Sequence, residues 1–207
     1  MKKLFSISVA LFAFCAMASA QSMGGGSTSF GTLSLSYNAM NLKMSYEGES
    51  ATESMTGLSL TWTNANAIGT AAPLYFEYGL GAQFSFKSKN NTTVNFLSAK
   101  IPLSILYNFE IPGTSFAIAP YAGLDAVCYF MGKSKYSYGG ETYESDVFKD
   151  GDPKYNRFNI GWHIGAKVLI NTMFVGFAYE GPILGFYSKD GLKVNSNQVN
   201  ISLGLVF

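Results

Sequence analysis

The stretch that most constrains this chain is its last thirteen residues, N-S-N-Q-V-N-I-S-L-G-L-V-F at 195–207. Val199, Ile201, Leu203, Leu205 and Phe207 are apolar and occupy the odd positions. Gln198, Asn200, Ser202 and Gly204 are polar or small, and only Val206 breaks the even series. A period of two describes a strand with one apolar and one polar face. The length suits a tilted strand crossing a bilayer, which needs about 9–11 residues. An edge strand of a soluble sandwich alternates in the same way, so the rest of the chain decides.

The opposite end sets the compartment. Met1-Lys2-Lys3 is a short basic start, 4–17 is an apolar run, and Ala18-Ser19-Ala20 is a small-x-small cleavage site. Residues 1–20 therefore read as a secretory signal peptide. Phe14 before Cys15 argues against a lipid anchor, which requires a small residue there. Without Lys2 and Lys3, 12 basic residues face 13 acids, a net charge of −1 with no basic stripe for nucleic acid. Cys128 is the one cysteine beyond the leader, so no intrachain disulfide is expected. After residue 20 no run approaches the roughly 18 apolar residues of a helical span. An exported chain this apolar buries its surface in a core or offers it to lipid.

Residues 21–29, with Gly24-Gly25-Gly26, form a flexible lead-in to a barrel domain at 30–207. Alternation predicts eight strands, near 30–40, 55–64, 74–86, 94–109, 115–131, 157–170, 173–187 and 195–207. The third sets Leu74, Phe76, Tyr78, Leu80, Ala82, Phe84 and Phe86 against Tyr75, Glu77, Gly79, Gly81, Gln83 and Ser85. Polar loops are expected at 43–54, at 87–93 around Asn90-Asn91, and at 132–156, the longest. Pro112-Gly113 and Asn171-Thr172 mark tight turns, and Lys189-Asp190-Gly191 joins the seventh strand to the last. Long and short connections alternate, as in barrels that keep short turns in the periplasm.

A soluble eight-stranded barrel would alternate too, but its outer face must carry many charges. Here the non-apolar face is mostly Gly, Ser, Thr, Asn and Ala, including Gly57, Gly79, Gly123, Gly161, Gly165, Gly176 and Gly204. Such a face suits a narrow lumen. The continuous apolar face suits lipid, with Trp62, Tyr78, Tyr107, Phe109, Trp162 and Phe207 available for interfacial girdles. The expected fold is all-β, an eight-stranded antiparallel up-and-down transmembrane β-barrel.

On the leader, the eight alternating strands, Pro120-Tyr121-Ala122-Gly123-Leu124 and the terminal Leu203-Gly204-Leu205-Val206-Phe207, the chain resembles small Gram-negative outer-membrane β-barrels of the OmpX/OmpA type. The likeness also extends to the broader outer-membrane-protein β-barrel domain family. It implies residence in the bacterial outer membrane, contact with its lipid and lipopolysaccharide, and an assembly signal at Leu203, Leu205 and Phe207 read by the barrel-assembly machinery. Members of that family include structural barrels, adhesins, small pores and enzymes.

The inward face carries six ionisable groups, Glu77, Lys100, Asp125, His163, Lys167 and Glu180. A turn centred between Pro112 and Gly113 sets Lys100 opposite Asp125, and one at Asn171-Thr172 sets His163 opposite Glu180. Glu77 and Lys167 lie near the periplasmic end and can meet across the bore. A buried charge without a partner costs several kcal/mol, so a satisfied polar plug is the expected arrangement. In lipid A deacylase barrels a His-x-Ser spacing marks the site; here Ile164-Gly165 follows His163. No serine presents itself as a nucleophile for a His163–Glu180 base, so no catalytic residue is assigned. One histidine and no cysteine cluster point to no metal and no cofactor. Tyr136, Tyr138, Tyr143 and Tyr187, in the outer connections, are candidates for recognising a surface partner. The expectation is a non-enzymatic barrel with a plugged lumen and interacting loops. A narrow porin-like passive channel and a lipid A-modifying enzyme are the alternatives.

Overall fold

The computed structural model describes residues 29–69, 73–89, 91–139, 141–150, 154–189 and 191–207. The expected leader at 1–20, most of the expected lead-in, and Asn90, Gly140, Gly151, Asp152 and Asp190 lie outside the described residues. Among the described residues eleven strands occur: β1 (Ser29–Tyr46), β2 (Glu49–Ala67), β3 (Leu74–Lys89), β4 (Thr92–Tyr107), β5 (Phe109–Glu110), β6 (Phe116–Tyr138), β7 (Glu141–Asp146), β8 (Phe158–Ile170), β9 (Met173–Leu184), β10 (Tyr187–Lys189) and β11 (Leu192–Val206).

Eight of them, β1, β2, β3, β4, β6, β8, β9 and β11, are joined in an antiparallel ring, closed by the β1–β11 ladder from Thr32↔Val206 to Ser45↔Lys193. Closure leaves no unpaired edge, the condition for strands to lie in hydrocarbon. At the closing seam Gly31 N–H donates to the Phe207 carbonyl at 2.7 Å, and Phe207 N–H donates back at 3.0 Å. The terminal Leu203 and Leu205 pair there with Leu35 and Leu33.

The alternation sorts the faces. Leu35, Tyr37, Leu58, Trp62, Phe76, Leu80, Ile101, Leu103, Leu124, Ile164, Phe177 and Ile201 point outward and are exposed, Leu80 to 57% and Leu203 to 61%. Their partners Ser36, Asn38, Ser59, Thr63, Glu77, Ser104, Asp125, His163, Lys167 and Asn200 are buried inside. Each large apolar side chain left in water forgoes about 1.5–3 kcal/mol, so a continuous belt of them is a lipid-facing surface. Among the described residues no helix is long and apolar enough to cross a membrane; the strands do it. By the rule for such barrels the short-turn end is periplasmic and the extended end extracellular.

Three expectations are corrected. The polar loop at 43–54 is instead a hairpin whose strands run on to Tyr46 and Glu49 around a turn at Glu47 and Gly48, with φ of 47° and 90°. The long connection at 132–156 is largely strand, because β6 continues to Tyr138 and folds back as β7, pairing Lys133↔Asp146 through Tyr138↔Glu141. The β4–β6 turn is centred later than Pro112-Gly113. Gly113 takes φ 76°, and the Thr114 hydroxyl donates to the Ile111 carbonyl at 2.8 Å, which shifts the register by two. Pro102, not Lys100, lies opposite Asp125, and Lys100 faces Val127.

The bore is layered. An apolar plug of Phe30, Ala65, Tyr75, Leu106, Ala117, Ala119, Leu169, Phe174 and Val206 fills the periplasmic end. A second, of Met40, Met55, Phe96, Tyr129, Phe148, Phe186 and Val194, fills the extracellular end. The polar residues predicted for the lumen occupy the layer between them.

Candidate functional site

Three linked groups make up the middle layer. In the first, Lys167 Nζ donates to Glu77 Oε2 at 2.5 Å, and the Thr63 hydroxyl donates to the same oxygen at 3.0 Å. The Lys167 ammonium also lies over the rings of Tyr121 and Phe174, at 5.2 and 5.4 Å from their centroids. The pair comes from β3 and β8, three staves apart, and meets across the bore.

In the second, Glu180 collects donors. Lys100 Nζ reaches Oε1 at 2.5 Å, Asn200 Nδ2 reaches Oε1 at 2.6 Å and Gln198 Nε2 reaches Oε2 at 2.7 Å. Gln83 extends the chain to Gln198 at 2.9 Å, and Asn38 to Asn200 at 2.6 Å. His163 and Glu180 are opposite in the ladder, yet their side chains take different partners.

The third group is one that the sequence reading does not find. His163 Nδ1 lies 2.8 Å from Asp125 Oδ2, and Nε2 lies 2.8 Å from the Ser104 hydroxyl. Lys100 Nζ is 4.0 Å from Asp125 Oδ1, the remnant of the expected pairing. Ser104, Gly123 and His163 form one row across β4, β6 and β8. Gly123 makes the contact possible, since a Cβ there would overlap Leu103 O, fall 2.7 Å from Ser104 Cα and 2.8 Å from His163 Nε2. The sequence signal is a glycine set between two inward polar residues, legible only in the correct register. The corrected register puts a serine beside the histidine, where none was expected.

Serine, histidine and aspartate in this order are the parts of a hydrolytic triad, at hydrogen-bond distance. Their surroundings differ from those of such a site. All three side chains are buried, and the adjoining cavity is about 70 Å³, room for about two waters at a share of roughly 30 Å³ each. The backbone groups around Ser104 belong to ladders on both sides, whereas an oxyanion hole needs free donors. Each carboxylate in the layer meets an ammonium, an imidazole or an amide, and only Asp125 Oδ1 and Asn38 Oδ1 are buried there without a hydrogen bond among the described residues.

At the extracellular end the β6–β7 hairpin, called the ribbon below, continues the barrel wall, because β6 stays paired with β4 from Asn95↔Lys133 to Thr92↔Tyr136 while β7 lies on its other side. The inner half of β6 is flanked by β4 and β8, but beyond Gly132 it carries β7 in place of β8. Among the described residues β7 has no ladder partner on its outer edge. Tyr136 and Tyr143 sit opposite each other, and Tyr136 stacks on Tyr138 with centroids 6.4 Å apart. All three are exposed, while Tyr187 is half-buried on β10 against the extracellular plug. Glu144 receives Lys133 at 2.5 Å and Lys135 at 2.9 Å. Hydrogen bonds from these two lysines, Lys133 first, pull its carboxyl down to about 2.

No protein-family model matches the sequence, and no curated protein matches it. Several solved structures are similar. One is Ail, the attachment invasion locus protein of Yersinia pestis, in complex with the heparin analogue sucrose octasulfate. It is 13% identical, with 87% of this chain and 100% of that one covered, at a TM-score of 0.48. Neisserial surface protein A is 17% identical, covering 84% and 96%, at 0.41. The outer membrane enzyme PagL is 13% identical, covering 82% and 98%, at 0.43.

Proposed function

We propose that this chain is a non-enzymatic integral protein of the bacterial outer membrane that acts at the cell surface through its β6–β7 ribbon. The observation that carries the reading is a bore filled at both ends beneath a rim where β7 leaves an open edge among the described residues. Two apolar plugs bracket a hydrogen-bonded polar layer, so solute transport has no open path to use. At the rim stands β7, whose outer edge is open among the described residues, and together β6 and β7 carry three exposed tyrosines; open edges and Tyr-rich surfaces are the usual means of binding extended chains and polar ligands. Ail, an attachment protein by name, is similar in outline. On this reading the outer-membrane lipid and lipopolysaccharide surround the belt. The barrel-assembly machinery takes the C-terminal strand through Leu203, Leu205 and Phe207.

The test is adhesion of cells displaying the full chain to immobilised matrix proteins and glycans. It is compared with a variant in which residues 134–146 are replaced by an Asn-Gly turn. Loss of adhesion, with heat-modifiable gel migration retained, supports the reading; equal adhesion, or none by either form, contradicts it.

The Ser104–His163–Asp125 row supports a second reading, hydrolysis of a small ester within the bore. Labelling of Ser104 by a fluorophosphonate in the folded protein, abolished by Ser104→Ala, would establish it. The sealed bore predicts no labelling.

A further inference from the structure

From the extracellular plug outward the barrel turns inside out. On β1 Leu35 and Tyr37 are exposed on the outer face and Leu33, though buried, shares their parity, but beyond them Met40, Leu42 and Met44 point inward. On β4 the inward apolar pair Val94 and Phe96 gives way to outward Leu97, Ile101 and Leu103. On β11, Val194 is inward and Ile201 outward. The outer face at this level is polar, with Asn41, Lys43, Thr52, Ser54 and Lys193. A wall that is polar outside and apolar inside is the pattern of a soluble ligand-holding barrel, here stacked on a membrane one.

The result is a cup of about 440 Å³ lined by Leu42, Met44, Met55, Val94, Phe96 and Val147. That size falls within the roughly 300–1,000 Å³ of small-molecule sites, which pair apolar walls with a few placed polar groups. The charged groups facing the cup are Glu53, Lys87 and Lys89. Glu53 and Lys87 are paired with each other. Lys89 has no ion-pair partner among the described residues and leaves the rim with one positive charge in excess.

We infer that this cup is a binding site for a small amphipathic carboxylate, its apolar body against Met44, Met55, Val94 and Phe96 and its anionic head at Lys89. The inference goes beyond the ribbon reading and does not depend on it: the cup lies inside the mouth, and the ribbon contributes Ser134 to its wall.

The full-length protein in nanodiscs, labelled with ¹³C at its methionine methyls, is titrated with sodium octanoate, octylammonium chloride and octan-1-ol. Met44 and Met55 line the cup, whereas Met173 is exposed on the lipid face and reports partition into the bilayer. Saturable shifts at Met44 and Met55 with octanoate, against a small linear drift at Met173, are expected. Lys89→Glu should weaken octanoate about ten-fold, roughly what reversing one partly exposed charge contact gives. Octylammonium should bind the native protein at least that much more weakly. Val94→Trp, which fills the cup, should abolish the saturable shift, and retained heat-modifiable migration identifies both variants as folded. Shifts at Met44 and Met55 that merely track Met173 would overturn the site. Equal binding of octanoate and octylammonium, unchanged by Lys89→Glu, would overturn the choice of an anion.

Discussion

Removing the ammonium from the Glu77–Lys167 pair should destabilise the barrel more than removing both charges. The two groups are 3% and 6% exposed, with 2.5 Å between Lys167 Nζ and Glu77 Oε2. Lys167→Met leaves the Glu77 carboxylate facing the Thr63 hydroxyl in a bore without bulk water. Breaking a buried pair from one side costs about 3–5 kcal/mol, while exchanging both members for neutral groups is often close to neutral. Lys167→Met also forfeits the contacts with the Tyr121 and Phe174 rings, about 0.5–2 kcal/mol. We therefore expect Lys167→Met to cost about 4 kcal/mol, and Glu77→Gln/Lys167→Met to cost less than that single change. The coupling energy should be about 2–3 kcal/mol. Urea titration in lipid vesicles, followed by fluorescence, gives these values, because Trp62 and Trp162 both lie on the lipid face and lose that environment on unfolding. Additive costs, or a single-variant cost under about 1 kcal/mol, would refute the claim that the two charges meet in a closed layer.

Gly123→Ala should destabilise by about 1–3 kcal/mol in the same titration, since the added methyl overlaps backbone on β4 and the His163 ring. Leu103→Arg, near the middle of the apolar belt, should cost about 2–4 kcal/mol, which urea midpoints of the vesicle-bound protein will report. In the ribbon, Glu144 has a carboxyl held at about 2 against an ordinary 4.5, so its contribution is complete above about 4.5. That contribution is lost as pH falls from there through about 2. Protection of the β6–β7 ribbon from proteolysis by pepsin should decline across that window, and Glu144→Gln should remove the dependence.

The staves were legible in the sequence and their lengths were not, for one physical reason. Alternation fails where the wall leaves lipid, because the apolar residues change faces. Leu33, Leu35 and Tyr37 hand over to Met40, Leu42 and Met44, so a period-two reading stops near Met40 although β1 continues to Tyr46. The same change of phase disguises the outer part of β2, and the bulge opposite Leu97 and Ser98 in the β4–β6 ladder shifts the phase of β6, whose outer part is read as loop. The site was half visible. Parity placed all six ionisable groups in the bore, and strand order brought Glu77 toward Lys167. A two-residue error at the Gly113 turn paired Lys100 with Asp125 and concealed Ser104, whose meeting with His163 depends on Gly123 being opposite it. The apolar plugs could not be read from single strands, since each strand contributes only one or two residues to them.

The account depends most on the bore being closed. Single-channel recording of the full chain in planar bilayers, with Phe96→Ala/Phe186→Ala alongside to thin the extracellular plug, examines that directly. We predict no conductance steps from the native protein in molar potassium chloride, and none from the variant while the polar layer and the periplasmic plug stay in place. Reproducible ohmic steps from the native protein would contradict the closed bore and the ribbon-centred function built on it.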